Sequence, residues 1–300
     1  MLALISHDAG GAEILSSYVR RSGIRPLFSL CGPALAVFER KLGVVPIVSA
    51  EEAVRRCTSV LCGTSWQSEL EFDALGLARD LGKPSAAFID HWVNYPDRFV
   101  RHGVQHLPDE IWVGDEIAEA LAKEQFSTLP VRRVENPYFE DVRALLAACP
   151  SRAHAASDPI SVLYVCEPVS AHALRRYGDA RHFGYLETEA LSFFLANLCA
   201  FEKPIATIRI RPHPAEPADK YSWVSTEFNL PIEICGQRGL IEEIADCDVV
   251  VGCESMAMVI GLLAGKPVFS SIPPGGTPCR LPQPQIVHFR DLVQSERATT

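Results

Sequence analysis

Short apolar runs alternate with longer stretches of helical spacing along almost the whole chain. Residues 2–6 form the first run and end in His7-Asp8-Ala9-Gly10-Gly11, after which residues 12–22 carry apolar positions at helical intervals. The same reading predicts strands over 26–30, 45–48, 59–62, 85–89 and 110–113, with helices over 34–42, 50–56, 69–81 and 116–126. A second set starts at a strand over 160–166, with Glu167-Pro168 at its end. It continues with a helix over 185–201, a strand over 206–210 and a segment at 232–235. Strand 249–251, the turn Gly252-Cys253-Glu254-Ser255, a helix opening at Met256, and strands at 268–269 and 286–289 complete it. Buried strands separated by helices of this length must pair in parallel, with helices on both faces of the sheet. The expected fold class is α/β: two Rossmann-like doubly wound domains facing each other across a cleft.

Three hundred residues exceed one ordinary core, which supports two domains, over 1–150 and 151–300. Residues 150–159 carry Pro, Ser, Ala and His without a periodic apolar face and read as the linker; 273–284, rich in Pro and Gly, read as a surface loop. A hydrophobic content of 48% and a charged content of 22% describe an ordinary soluble globular protein. A net charge of −9 excludes a nonspecific nucleic-acid binder, which needs a basic face. The ten cysteines include no Cys-x-x-Cys pair and sit mostly in apolar runs, the usage of a reduced, cytoplasmic protein. The start of the chain turns polar too soon for a signal peptide, and no apolar run reaches the roughly 20 residues that span a bilayer.

The polar groups cluster where predicted strands end, the place where open α/β sheets bind ligands. His213 stands between Pro212 and Pro214, just after Arg211; the prolines fix the backbone and so aim the ring. Glu254-Ser255 opens the apolar helix, where a hydroxyl, free amides and the positive end of the dipole seat an anion. Capping alone also explains that pair of residues. The loop after the first strand offers His7, Asp8, Gly10 and Gly11, with glycines that let backbone approach a ligand. It lacks the Gly-x-Gly-x-x-Gly dinucleotide fingerprint, so no redox cofactor is expected. Asp90-His91-Trp92-Val93-Asn94 combines a carboxylate, an imidazole, an indole and an amide, the composition of a sugar site. Glu69 and Glu71 lie two residues apart in a helix and face different directions, which argues against a paired acid/base set. Asp246-Cys247-Asp248 precedes its strand instead of ending it and reads as a turn, so no metal is expected.

Arg-Pro-His-Pro at 211–214, together with Gly-Cys-Glu-Ser at 252–255 and Gly-Lys-Pro-Val at 265–268, resembles the C-terminal half of GT-B-fold glycosyltransferases. The pattern is most similar to bacterial sialyl-, polysialyl- and Kdo-transferase types with their HP and Ser motifs, and it extends to UDP-N-acetylglucosamine 2-epimerases. The resemblance covers roughly residues 160–290. It implies that His213 and Ser255 contact the nucleotide phosphate. One departure stands out: the Asp/Glu-Asp/Glu-Gly motif that supplies the base in sialyltransferases is absent as such.

The expected activity is therefore metal-independent transfer of a sugar from a nucleotide-activated donor, CMP-linked donors among them, to a glycan or polysaccharide acceptor. Asp8, His7 and Asp90 are the candidate catalytic residues. Gly10, Gly11, His91, Trp92, Asn94, Glu167, Arg211, His213, Glu254, Ser255 and Met256 are the candidate binding residues. The acceptor would lie on the first domain and the donor on the second, with room for peripheral contact at a membrane that carries the acceptor. The alternatives are a nucleotide-sugar epimerase or hydrolase of the same fold, and a nonenzymatic subunit of a polysaccharide assembly complex.

Overall fold

The computed structural model describes residues 1–150, 158–217 and 219–299, with side chains described through residue 295. The linker expected over 150–159 lies for the most part outside the described residues. The chain forms two compact units, Met1–Asp141 and Val142–Thr300.

The first unit runs β1 (Leu2–Ser6), α1 (Ala9–Ser22), β2 (Leu27–Leu30), α2 (Pro33–Leu42), α3 (Ala50–Arg56), β3 (Ser59–Cys62), α4 (Leu70–Asp80) and β4 (Ser85–Phe88). A small antiparallel hairpin, β5 (Val100–Arg101) and β6 (Val104–Gln105), precedes β7 (Glu110–Val113), α5 (Glu116–Gln125) and β8 (Val131–Arg133). Helix α6 (Pro137–Ala148) leads into the second unit. The six-stranded sheet has the order β2-β1-β3-β4-β7-β8, and every pair is parallel. Leu4, Ile5, Leu15, Leu61 and Phe38 are at most 1% exposed, and burying each aliphatic one contributes about 2 kcal/mol. Caps end the helices as the side chains dictate: Asp115 accepts the Ala118 amide at the start of α5, and Gly23 closes α1 in the left-handed conformation.

The strand expected over 45–48 is reduced to a single parallel bridge between Ile47 and Phe28. Pro46 has no N–H to give to the ladder, so pairing beyond β2 stops at the Val48 amide bond to Phe28.

The second unit runs β9 (Ile160–Val165), α7 (Val169–Tyr177), α8 (Glu187–Ala196), β10 (Ile205–Arg211), α9 (Val224–Glu227), β11 (Ile232–Ile234), α10 (Leu240–Ala245) and β12 (Val249–Gly252). Then follow α11 (Met256–Leu263), β13 (Val268–Ser270), β14 (Ile286–His288) and α12 (Phe289–Thr299). Its sheet, β11-β10-β9-β12-β13-β14, is again wholly parallel. The helix expected over 185–201 is shorter: it stops at Asn197, whose side chain bonds the Phe193 carbonyl, and a 3-10 turn over Leu198–Ala200 follows. Helices α6, α7, α9 and α12 and strands β5, β6 and β8 fall outside the predicted elements. Among the described residues, no helix is long and apolar enough to cross a membrane.

Both strand orders reverse direction beside the central strand: at β1/β3 in the first unit and at β9/β12 in the second. Neighbouring loops diverge there and leave a crevice at the carboxyl ends of the strands.

Candidate functional site

In the first unit the loop after β1 is the centre of a polar network. His7 Nδ1 lies 2.7 Å from Asp8 Oδ1 and 3.2 Å from the Ser65 hydroxyl, so both groups fix the ring. Gly32 makes room for it: a Cβ there would fall 2.5 Å from His7 Nε2. Gly10 is a glycine for a similar reason, since a Cβ would fall 2.1 Å from Asp90 Oδ2. Gly11 approaches Gly63 closely, with its added Cβ 3.4 Å from the Gly63 Cα. The two glycines thus let α1 and the end of β3 converge under the loop.

Asp90 is tied by its Oδ1 to Arg98 at 2.8 Å, and the same guanidinium donates to the Thr64 hydroxyl at 2.6 Å. Asp90 is thereby an ion-pair partner, whereas Asp8 keeps its second oxygen outside any bond to His7. Trp92, expected to offer its face to a sugar, is 7% exposed and donates its indole N–H to Asp115 at 3.0 Å. The indole is a prop for the loop, because burial leaves no open face for stacking. His91 meets Trp92 edge-on, and Asn94 takes a left-handed backbone at φ 59°, which turns the loop toward Arg98.

Glu71, which sequence spacing discounts as half of an acid/base pair, lies at the centre of this network. It sits in the first turn of α4, 2% exposed, and its Oε1 accepts the His7 amide at 2.7 Å. Burial, helped by the nearby Asp8 and Asp90 charges, pushes its carboxyl up to about 7. Glu69 faces the other way, as its spacing predicts, and bonds His102 in an exposed position. The signal was present: Glu71 falls three, four and seven residues before Ala74, Leu75 and Ala78, all on the buried stripe of α4.

In the second unit His213 follows β10. The Ala215 amide donates to its Nδ1 at 3.1 Å, and its own amide donates to Glu216 at 2.9 Å. Burial lowers the proton affinity of the ring, which is therefore neutral, and an Nδ1 that accepts leaves the proton on Nε2. Glu216 also accepts from Tyr221 at 2.9 Å and from Lys220 at 2.8 Å, and Lys220 reaches Glu187 on α8 as well. Arg211, expected to bind a ligand, points away: its guanidinium is held by the buried Glu243 at 2.6 Å and by the Arg238 carbonyl. Pairing with a carboxylate that is 2% exposed outweighs the exposed alternative.

Ser255 caps α11, accepting the Ala257 amide at 3.1 Å, and Met256 begins the helix. Glu167, at the end of β9, accepts the Glu254 amide at 2.7 Å. Burial, then the Glu254 charge, pushes its carboxyl up to about 8, so it is largely neutral at pH 7. Glu254 is gripped by Arg280, whose side-chain nitrogens approach to 2.6 and 2.9 Å and whose amide approaches to 2.6 Å. Arg280 also lies over the Phe183 ring at 5.3 Å. It comes from the loop over 273–284, which the sequence marked only as surface. Two strand spacings, about 10 Å, separate the ends of β10 and β12. The Asp-x-Asp residues lie at the other end of β12, Asp246 paired with Arg209 and Asp248 with the Ser161 amide and hydroxyl. An apolar hollow of about 460 Å³, lined by Ile160, Phe201, Phe269, Val287 and Leu292, also lies at those amino ends, away from this chemistry.

No protein-family model matches the chain, and no curated protein matches it in sequence. Solved structures match it in fold. The UDP-GlcNAc 2-epimerase of Methanocaldococcus jannaschii aligns with a TM-score of 0.60 at 12% identity, over 99% of this chain and 91% of that one. MnaA of S. aureus, in a structure with UDP, gives 0.61 at 12% identity, over 99% and 87%. MurG of Acinetobacter baumannii gives 0.50 at 11% identity, over 99% and 82%. At these identities the likeness is one of fold: two parallel-sheet α/β domains of the GT-B-like kind, as the alternation of strands and helices predicts.

Proposed function

We propose that the chain is a nucleotide-sugar enzyme, a metal-independent glycosyltransferase whose second domain binds the donor and whose first domain serves a glycan or polysaccharide acceptor. The observation that carries this reading is the fixed tautomer of His213. Its Nε2–H is a ready donor at the end of β10, while the cap and first-turn amides of α11 stand at the end of β12. A phosphate group bound at these strand ends meets a hydrogen-bond donor, a helix dipole, and the neutral acid Glu167 in place of a repelling carboxylate. Arg280 neutralises Glu254 on the same side, so that carboxylate does not repel the phosphate. In transfer, Asp8, oriented by His7, takes the acceptor proton, and His213 with α11 stabilises charge on the departing phosphate. CMP-linked donors of the sialyl and Kdo type and UDP-linked donors are the two classes to test.

One observation favours a second reading. Glu71 and Glu167 are carboxyl groups that hold protons near neutrality, the property that epimerisation or hydrolysis of a nucleotide-sugar draws on. Calorimetric titration with UDP, CMP, CDP and GDP tests nucleotide binding, and absence of binding at millimolar concentration refutes both readings. Turnover of UDP-N-acetylglucosamine and CMP-sialic acid with and without an acceptor extract then separates them, since product without acceptor favours the second. His213→Ala is expected to slow turnover by about 10²-fold; an unchanged rate removes His213 from the site.

A further inference from the structure

The carboxyl of Glu71 is placed where no ordinary structural role explains it. Its Oε2 is buried and has no hydrogen-bond partner, although Oε1 is fully used by the His7 amide. The hydroxyl of Ser6, itself 0% exposed, is likewise without a partner. Both groups border Gly63: a Cβ added there would lie 3.5 Å from Glu71 Oε1 and 3.6 Å from Ser6 Oγ. A carboxyl oxygen left unsatisfied in a core is destabilising, and an apolar residue on the α4 stripe would avoid that cost. The charged and titratable groups that face it are Asp8 and His7 from the β1–α1 turn, Asp90 after β4, Cys31 after β2, and Cys62 of β3. Arg98 is committed to Asp90.

We propose that Glu71 is a positioning residue for the His7–Asp8 pair, holding the His7 amide from below the β1–α1 turn so that its charge state sets how firmly the pair is held. Ionised, Oε1 is a stronger acceptor for the His7 N–H. Protonated at Oε2, the acid relaxes that hold without moving any chain. Its titration near neutrality places the change where the site operates. The inference rests on the acid/base role proposed above for His7 and Asp8, but its test needs no substrate.

The full chain labelled with ¹⁵N-histidine presents nine histidine amides, and His7 is identified by the signal lost in His7→Asn. The His7 amide is expected to move downfield through an inflection near pH 7. In a ¹³C-glutamate sample the Glu71 carboxyl signal, identified by its loss in Glu71→Gln, should share that midpoint. Glu71→Gln keeps a carbonyl acceptor for the amide and should abolish the inflection. An inflection absent from the wild type, a Glu71 carboxyl that titrates in the ordinary carboxylate range, or an inflection that survives in Glu71→Gln would each overturn the proposal. If turnover of a nucleotide-sugar is established, Glu71→Gln is expected to lower kcat with KM unchanged. A coupled His7 amide in a protein that binds no nucleotide would uphold the positioning role and refute the nucleotide-sugar reading.

Discussion

Replacing Lys220 by Met removes the cation shared by two buried carboxylates and keeps most of the side chain's bulk. Glu187 is 3% exposed and the Glu216 side chain 1%, while Lys220 itself is 22% exposed. Breaking a buried pair from one side costs about 3–5 kcal/mol, because the remaining charge is left uncompensated. Some compensation survives here. Glu187 keeps the Ser170 amide at 2.8 Å and hydroxyl at 2.7 Å, and Glu216 keeps the His213 amide and the Tyr221 hydroxyl, each at 2.9 Å. With those bonds and the partial exposure of Lys220, the expected loss is about 3 kcal/mol at pH 7.

The pH dependence follows from the two shifts. Burial pushes the Glu187 carboxyl up, but bonds to Lys220 and Ser170 outweigh it and hold the group below its ordinary value. A depressed acid contributes stability above its unfolded value, near 4.5, and loses it as pH falls through the folded value. Burial lowers the Lys220 amine, yet Glu187 and Glu216 hold it above its ordinary value. Its contribution is therefore complete below about 10.5 and disappears only at higher pH. The deficit of Lys220→Met should be flat from about pH 5 to 10 and shrink toward pH 4. Urea titration read by hydrogen exchange and mass spectrometry follows peptides of the second domain separately from those of the first. A loss below about 1 kcal/mol at pH 7, or a loss as large at pH 4 as at pH 7, would refute the reasoning.

Two further substitutions probe the strand ends. Gly10→Ala drives a methyl group to within 2.1 Å of Asp90 Oδ2 and must displace the carboxylate whose other oxygen holds Arg98; the helix gains about 1 kcal/mol from Ala, overpacking costs about 1–3, and a net loss near 1 kcal/mol is expected in urea denaturation. An unchanged or higher stability would show that Asp90 moves freely. Ser255→Asp keeps a good cap on α11 and should leave stability within about 0.5 kcal/mol, yet it puts a negative charge at the anion seat. Nucleotide affinity, measured by calorimetry, should fall more than tenfold, and an undiminished affinity would place the phosphate elsewhere.

The strand-end turns were legible because the physics is local. Residues 2–6, 59–62, 85–88 and 249–252 are near-continuous apolar runs, and such runs in alternation with helices can only be strands covered on both faces. The cap role of Ser255 was legible for the same reason, since it acts within its own helix. Roles that depend on a distant partner were not. Arg211 and Trp92 look like ligand groups in one dimension, but Glu243 and Asp115 claim them across 32 and 23 residues of chain. Glu71 was set aside with Glu69 because the two face different directions on their helix, and only the fold shows that it lies under the β1 turn.

Periodicity by itself determined the two parallel α/β domains and located the polar loops at the carboxyl ends of their strands, since both follow from which residues must leave water. The tertiary structure alone decided which of those polar groups remain available. Arg280 on Glu254, Arg98 on Asp90 and Lys220 on Glu187 are pairings of groups brought together only by folding. Charge neutralisation and proton affinity depend on distance and burial, and neither is written in the order of residues along the chain.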